Sequence, residues 1–161
     1  MESIETQRLR LVPLELPCAA AMVNGHRPLG ARWADGYPTD ATLVAAGFVV
    51  TAEAEGRPLG PWGVYQIVRL SDEVVIGDCG FLGPPDHHGW VHAGFGVSDP
   101  QHDGPLAVEA FGALVQWARA QPGCTRVMAD AACTNLVAIR VMEGAGMQRA
   151  GSDGSLVYYE L

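Results

Sequence analysis

One histidine of this sequence stands where an imidazole could move a proton. His92 lies within the run Val91–Val97, whose β-branched and aromatic residues predict a half-buried strand. An imidazole has an unperturbed pKa of about 6.5, so it can accept a proton at neutral pH. The same pattern fits a strand histidine that is simply bonded to a neighbour, and both interpretations stay open. We take His92 as the candidate catalytic base.

A second candidate site lies at the predicted start of a long helix. The segment Asp103-Gly104-Pro105 precedes an apolar stripe at helical spacing, made of Phe111, Leu114, Val115 and Ala118. We expect Asp103 to cap a helix that begins at Pro105, because aspartate accepts amide hydrogen bonds there and proline suits the first position. Such a start also attracts anions, so the Asp103 carboxylate would compete with an anionic ligand.

The sequence predicts no metal site. Asp86, His87 and His88 gather in one turn, but their spacing matches no strong metal-binding pattern. The four cysteines show neither metal-ligand nor C-x-x-C spacing; they are Cys18, Cys79, Cys124 and Cys133. We therefore expect free thiols, as in a cytoplasmic protein.

Composition and net charge indicate which kind of protein this is and which partners it favours. The 161 residues, with 48% hydrophobic and 17% charged side chains, predict one globular domain over residues 1–161. The net charge of −8 disfavours nucleic acid. It suits an amine-bearing substrate, although solubility alone also accounts for it. The start of the chain shows no basic region followed by an apolar run, and no stretch is long enough to span a membrane.

The elements that must position these residues change type along the chain. The first part predicts a strand over Ile4–Leu14, a short helix over Leu14–Val23 and a helix from Thr39 to about Glu55. A meander of three strands follows, over Trp62–Leu70, Val74–Leu82 and Trp90–Val97.

In the second half of the chain, segments with the apolar spacing of a helix alternate with segments that have the alternation of a strand. A helix from about Pro105 to Gln121 is followed by a strand near Thr125–Asp130, a helix near Leu136–Met142 and a last strand over Leu156–Leu161. The pattern predicts an α/β protein with a mixed sheet, in which an antiparallel meander leads into a β-α-β-α-β crossover arrangement.

Four segments, in the right order over nearly the whole chain, resemble the GNAT N-acetyltransferases. The resemblance is closest to the branch that acts on ribosomal-protein N-termini and small amines. Its segments are Ile4–Leu11, which is similar to a "T-x-R-L-x-L" first strand, Gly60–Phe81, Glu109–Ala118, and Thr134–Met147, which is similar to "D-N-x-x-S-I-R-v-x-E-K-x-G-F".

The resemblance implies a pair of central strands that splay apart to hold acetyl-CoA. It assigns the pantetheine arm to the backbone of Phe95, Gly96 and Val97, and it gives Asn135 a role in orienting coenzyme A and in catalysis. The pyrophosphate would lie on the segment His102–Ala107, with contacts from His102, Asp103, Gly104, Leu106 and Ala107.

This segment departs from the "Q/R-x-x-G-x-G/A" loop of the family. Only Ala107 meets the pattern, and Pro105 carries no N–H for a phosphate. Further along, Ala138 replaces the family's serine, so a hydroxyl near coenzyme A is missing.

Aromatic residues could shape the acceptor pocket. The candidates for substrate binding are Trp33, Tyr37, Trp62 and Tyr65. Aromatic side chains at strand positions also serve as core, and this alternative stays open.

These observations support one main hypothesis and two alternatives. The main hypothesis is an acetyl-CoA-dependent N-acetyltransferase that acts on a small-molecule amine or a protein N-terminus. The first alternative is a GNAT scaffold without acetyl-CoA binding, which serves as a binding module or runs other acid/base chemistry with His92. The second is a subunit whose task is dimerisation with an active paralogue. A homodimer of this chain is a separate expectation.

Overall fold

Eight strands and four helices make up the fold in a computed structural model, which describes residues 2–161. The strands are β1 (Ile4–Glu5), β2 (Leu9–Pro13), β3 (Val64–Arg69), β4 (Val74–Phe81), β5 (Trp90–Val97), β6 (Arg126–Ala132), β7 (Gln148–Ser152) and β8 (Leu156–Glu160). The helices are α1 (Leu16–Val23), α2 (Asp40–Ala54), α3 (Pro100–Arg119) and α4 (Leu136–Gly144).

The strands form one mixed sheet in the order β1-β2-β3-β4-β5-β6-β8-β7. The named strands pair antiparallel except β5 and β6, which are parallel neighbours joined through α3. The predicted α/β class and the predicted meander with its crossover tail are confirmed. Parallel neighbours need such a crossover connection, and α3 supplies it.

The sheet has helices on both of its faces. Alternate residues of the strands, such as Ile67, Val91 and Val127, pack against α3 and α4 in the larger core. The opposite face packs against α1 and α2 through a smaller cluster that includes Leu14 and Val64. Successive side chains of a strand point to opposite faces of the sheet, so the same strands contribute residues to both cores.

The structure differs from the predicted strands at two places. The predicted first strand over Ile4–Leu14 is interrupted, because Thr6 forms a turn whose hydroxyl and N–H both bond to the carbonyl of Leu9. Strand β7 was not predicted, since Gln148–Ser152 is polar and mostly exposed. It forms as the edge partner of β8 across a turn in which Asp153 accepts the N–H groups of Ser155 and Leu156.

The predicted cap of the second helix is confirmed. The Thr39 hydroxyl accepts the N–H of Thr42 (3.1 Å), and the Thr42 hydroxyl accepts the N–H of Thr39 (3.2 Å). Such a reciprocal pair satisfies two amides at a helix start. Over residues 2–161, no helix is both long enough and apolar enough to cross a bilayer.

Candidate active site

The main opening in the sheet lies between the two parallel strands. Pairing of β5 with β6 is confined to Trp90, Val91 and His92, opposite Arg126, Val127 and Met128. Beyond His92, β5 continues to Val97 in register with β4 only. The carboxyl-terminal halves of β5 and β6 therefore diverge and leave a gap in the middle of the sheet.

The free edge of β5 presents two residues to this gap. The carbonyl of His92 accepts the N–H of Leu82 on the β4 side, and the N–H of Ser98 donates to the carbonyl of Ile76 on the same side. Bonding groups alternate along an antiparallel strand, so Phe95 and Val97 point their N–H and C=O groups away from β4. Unpaired backbone groups of this kind can bind the amides of an extended ligand.

Glycines keep the adjoining surface of β5 open. A Cβ built on Gly94 or on Gly96 meets no other atom within 4 Å. The backbone of Gly96 bonds towards β4, opposite Asp78. Of the three predicted pantetheine contacts, the structure thus turns Phe95 and Val97 to the gap, whereas Gly96 offers space.

A cavity of about 380 Å³ lies between α2 and the strands β4 and β5. Its wall from α2 carries small and apolar residues. Its floor runs along β4 from Asp78 to the following residue Leu82, and over Gly94 and Phe95 on β5. The size suits a small organic ligand. Because Phe95 also borders the strand gap, the cavity and the gap adjoin.

Asp78 places a carboxyl group in this cavity. Its Oδ2 accepts the hydroxyl of Thr42 at 2.5 Å, and the residue is buried. Burial raises the pKa of Asp78 to about 6, and the hydrogen bond from Thr42 lowers it only in part. The sequence interpretation gave Asp78 no role, although a lone aspartate within the apolar run of β4 is the signal that could have found it.

The predicted substrate-binding aromatics separate into two pairs. Trp33 and Tyr37 pack edge to face on the α1–α2 side, and the Tyr37 hydroxyl accepts Gln66 Nε2 at 3.3 Å. Trp62 packs against Phe81 and Trp117 in the larger core.

Tyr65 is also a core residue. It is fully buried in the larger core, and its hydroxyl donates to the carbonyl of Pro61 at 2.8 Å. Neither Trp62 nor Tyr65 lines the cavity that holds Asp78. The structure therefore supports their alternative interpretation as packing residues.

His92 lies at the closed end of the strand gap. Its Nε2 is 2.7 Å from Oδ2 of Asp130 on β6, and both side chains are about one-third exposed, at 37% and 32%. The cross-strand neighbour Leu82 lines the cavity, but His92 itself does not. Asp130 can hold the imidazole in one orientation and tautomer.

The start of α3 differs from the prediction. The helix begins at Pro100 and not at Pro105, because Asp99 caps it by accepting the N–H of His102 at 3.2 Å, with proline at the first position. The segment holds two possible helix starts, Asp99-Pro100 and Asp103-Gly104-Pro105, and the helix begins at the earlier one. Pro105 lies inside the helix.

Asp103 is therefore not the helix cap. Its carboxylate is buried at 4% side-chain exposure, 2.9 Å from Nδ1 of His102 and 3.6 Å from the guanidinium of Arg69 on β3. The predicted contacts Gly104, Leu106 and Ala107 lie within the helix, and Ala107 is part of the core. The acidic residue at the helix start is Asp99.

Asn135 caps α4. Its Oδ1 accepts the N–H of Ala138 at 3.1 Å, and the side chain is exposed. It follows the end of β6, on the side towards which the strand gap opens.

Comparison with known proteins agrees with this architecture. The sequence model described as acetyltransferase (GNAT) domain matches residues 8–148. The uncharacterized N-acetyltransferase YjdG of Bacillus subtilis (strain 168) is 26% identical over 150 residues, which cover 91% of this chain and 89% of YjdG.

Solved structures share the fold. An acetyltransferase (GNAT family) from Bacillus anthracis superposes with a TM-score of 0.66 at 16% identity, covering 99% of this chain and 98% of its own. RimL, a ribosomal alpha-N-protein acetyltransferase in complex with coenzyme A, gives a TM-score of 0.67 at 13% identity, with 99% and 97% covered. With the domain match over most of its length, this chain belongs to the GNAT family of acetyltransferases and is an acyltransferase.

Proposed function

We propose that this protein is an acetyl-CoA-dependent N-acetyltransferase whose acceptor is a small-molecule amine or the amino terminus of a protein. The observation that carries the proposal is the free edge of β5 at Phe95 and Val97, which borders a cavity of about 380 Å³. A donor that lies along this edge and an acceptor in the cavity would meet at the strand gap.

The strand edge fits the pantetheine arm of coenzyme A. Its amides need alternating donors and acceptors, and Phe95 and Val97 supply both from the backbone. The bare glycines Gly94 and Gly96 leave room beside the arm. When bound, acetyl-CoA supplies the thioester-activated acetyl group; the chain itself binds and orients the two reactants.

The start of α3 fits the pyrophosphate less well. Pro100 has no N–H, and Asp99 already binds the N–H of His102 through its side chain and that of Asp103 through its carbonyl. The positive contribution here is the ring of His102, whose side chain is 76% exposed and carries a charge when protonated. We infer that the strand edge supplies most of the affinity.

Two side chains near the gap can accept the proton of the acceptor amine. His92, held by Asp130, stands at the closed end of the gap. Asp78 lies inside the cavity. Asn135, at the end of β6, remains our candidate for a contact to the donor.

Calorimetry with acetyl-CoA and with coenzyme A tests the proposal. We expect binding of both at micromolar to sub-millimolar concentration, followed by release of free coenzyme A thiol when an amine is added. No heat and no thermal shift with either compound at millimolar concentration would overturn acetyl-CoA dependence. It would then favour a scaffold that has lost the cofactor.

A further inference from the structure

We propose that Asp78 binds the ammonium group of the acceptor and accepts its proton, and that the cavity around it selects a primary amine on an apolar body. The inference rests on the proposed acetyl transfer for its catalytic part. Its binding part can be tested without any donor.

The walls of the cavity define the apolar part of the acceptor. Helix α2 contributes Val44 and Phe48, and the sheet side contributes Val64 on β3 and Leu82, which directly follows β4. Asp78 is the one ionisable carboxyl or amino side chain that lines this cavity among the described residues. A ligand that fills the space must therefore combine apolar surface with one cationic group.

The carboxyl group of Asp78 is arranged to receive a donor. Thr42 holds one oxygen, Oδ2, through its hydroxyl. The other oxygen, Oδ1, accepts no hydrogen bond from the described residues. Every fully buried side-chain nitrogen or oxygen in the described part of the chain has a hydrogen-bond partner. Oδ1 is therefore not fully buried and reaches accessible space. An ammonium N–H can donate to this oxygen without displacing any protein contact.

The neighbours of Asp78 leave its charge unopposed. Thr42 from α2 and the Tyr37 hydroxyl are neutral, and the Cys79 thiol beside it is fully buried, with a pKa raised by that burial. No arginine, lysine or histidine forms an ion pair with Asp78 among the residues that the structure describes. A cationic ligand would supply the opposite charge that stabilises a buried carboxylate.

The proton transfer balances without any further reactant. One N–H bond of the ammonium breaks, its proton forms an O–H bond with Oδ1, and a neutral amine and a neutral carboxylic acid result. Burial favours this neutral pair over the two separated charges. It also raises the pKa of Asp78 to about 6, which makes the carboxylate a better proton acceptor than an exposed one.

The position of Asp78 distinguishes it from His92. Asp78 lines the cavity and pairs across the strands with Gly96, next to Phe95 and Val97 at the gap. His92 is four residues earlier on β5 and is already bonded to Asp130. An amine in the cavity therefore meets Asp78 first.

Calorimetry of the full chain with three probes, without acetyl-CoA, tests the binding part. The probes are phenethylamine, 2-phenylethanol and ethanolamine. We expect phenethylamine to bind about tenfold or more tightly than either of the others, as one charged hydrogen bond and a buried ring each contribute at least that factor. Equal binding of phenethylamine and 2-phenylethanol would overturn the proposal.

Variants locate the effect. Asp78→Asn should remove the preference for phenethylamine over 2-phenylethanol, and Phe48→Ala should reduce the preference for phenethylamine over ethanolamine. Asp72→Asn, on the loop that joins β3 and β4, should change neither. Unchanged probe preferences in folded Asp78→Asn, or in Phe48→Ala if the first variant does not fold, contradict the site.

Acetyl transfer to phenethylamine separates the two proposals. Asp78→Asn should raise KM for the amine and lower kcat, with the affinity for acetyl-CoA unchanged. If phenethylamine binds through Asp78 but is never acetylated, and neither acetyl-CoA nor coenzyme A binds, the proposed function fails and the amine-binding site stands. If acetylation proceeds in Asp78→Asn with unchanged KM and kcat, the amine site fails and the proposed function stands.

Discussion

At the scale of single residues, two carboxylates in this fold have opposite situations. Asp78 is buried with a hydroxyl as partner, whereas Glu109 on α3 accepts the Thr6 hydroxyl, the N–H of Arg8 and the guanidinium of Arg8. Burial raises the pKa of Glu109, but these hydrogen bonds and the charge of Arg8 outweigh it and leave the pKa lowered. The Asp78 carboxylate has an oxygen without a protein partner among the described residues. The Glu109 carboxylate links the segment of Thr6 and Arg8 to α3.

The raised pKa of Asp78 predicts an unusual pH dependence of stability. The folded protein binds this proton more tightly than the unfolded chain, because the pKa rises from 3.8 to about 6. The free energy of unfolding should therefore fall as pH rises from about 4 to about 6, by up to about 3 kcal/mol. Urea unfolding of the protein and of Asp78→Asn at several pH values measures this, and the advantage of Asp78→Asn should grow over that window.

Asp72→Asn is the matched control for this experiment. Hydrogen bonds from Arg69 lower the pKa of Asp72, so its stabilising effect is present above pH 4 and is lost as pH falls further. The free energy of unfolding of Asp72→Asn should therefore not increase relative to that of the unmodified protein as pH rises. If the free energies of unfolding of Asp78→Asn and of the unmodified protein change in parallel with pH, the raised pKa of Asp78 is contradicted.

At the scale of elements, the start of α3 is where the proposed coenzyme A phosphates would meet the charge of the helix cap. Asp99 caps the helix and places a negative charge at its amino-terminal end. Asp99→Asn keeps an oxygen for the N–H of His102 but removes this charge. We expect coenzyme A to bind about threefold to tenfold more tightly to Asp99→Asn, as measured by calorimetry, because the phosphates no longer meet a like charge.

The control for Asp99→Asn changes the same charge elsewhere. Glu55→Gln, at the end of α2, should leave coenzyme A affinity within about twofold, since this charge is exposed, screened by salt and paired with Arg57. Equal gains in the two variants would point to net charge and not to the helix start.

The pairing of β4 with β5 requires a glycine at position 77. A Cβ on Gly77 would lie 2.2 Å from the carbonyl oxygen of Gly96 and 2.8 Å from Cα of Val97. Gly77→Ala should therefore lower the free energy of unfolding by about 2–3 kcal/mol or more, as measured by urea denaturation. It should also weaken coenzyme A binding, since β5 carries the free edge at Phe95 and Val97.

Gly151→Ala is the corresponding control on β7. A Cβ on Gly151 meets nothing within 4 Å, so the free energy of unfolding should stay within about 1 kcal/mol of the original. A loss in Gly77→Ala no greater than in Gly151→Ala would show that the two strands can separate at little cost.

At the scale of the whole molecule, the net charge of −8 would act on the two proposed reactants in opposite directions. It attracts a cationic amine and repels an anionic coenzyme. We expect kcat/KM for the amine to fall and kcat/KM for acetyl-CoA to rise as ionic strength increases from 10 to 300 mM. Steady-state kinetics with each reactant varied in turn measure both slopes, and slopes of the same sign would contradict the electrostatic account.

Much of this fold could be predicted from local patterns. The meander strands, α2 with its Thr39 cap, and the crossover order follow from periods and stop signals within a few residues. The predicted strand at Trp90–Val97 has the same ends in the structure. The exceptions are the turn at Thr6 that divides the predicted first strand, the start of α3 and the edge strand β7. Side-chain hydrogen bonds, competing cap signals and cross-strand pairing decide these three places.

The candidate site could be predicted only in part. Phe95, Val97 and His92 were placed on the correct strand, but which groups face the strand gap depends on where pairing with β6 stops. Trp62 and Tyr65 look like pocket aromatics in the sequence and prove to be packed in the core. A residue type does not disclose which face of the sheet it meets.

The sequence by itself determined the α/β class, the order of the elements and the membership in the acetyltransferase family, because these depend on periodicity and on short motifs. Only the tertiary structure decided that Asp99 rather than Asp103 caps α3, and that Asp78 lies in a cavity beside the strand gap. The physical reason is that burial and partners come from residues far apart in the chain. Thr42 and Asp78 are 36 positions apart and still share a hydrogen bond of 2.5 Å.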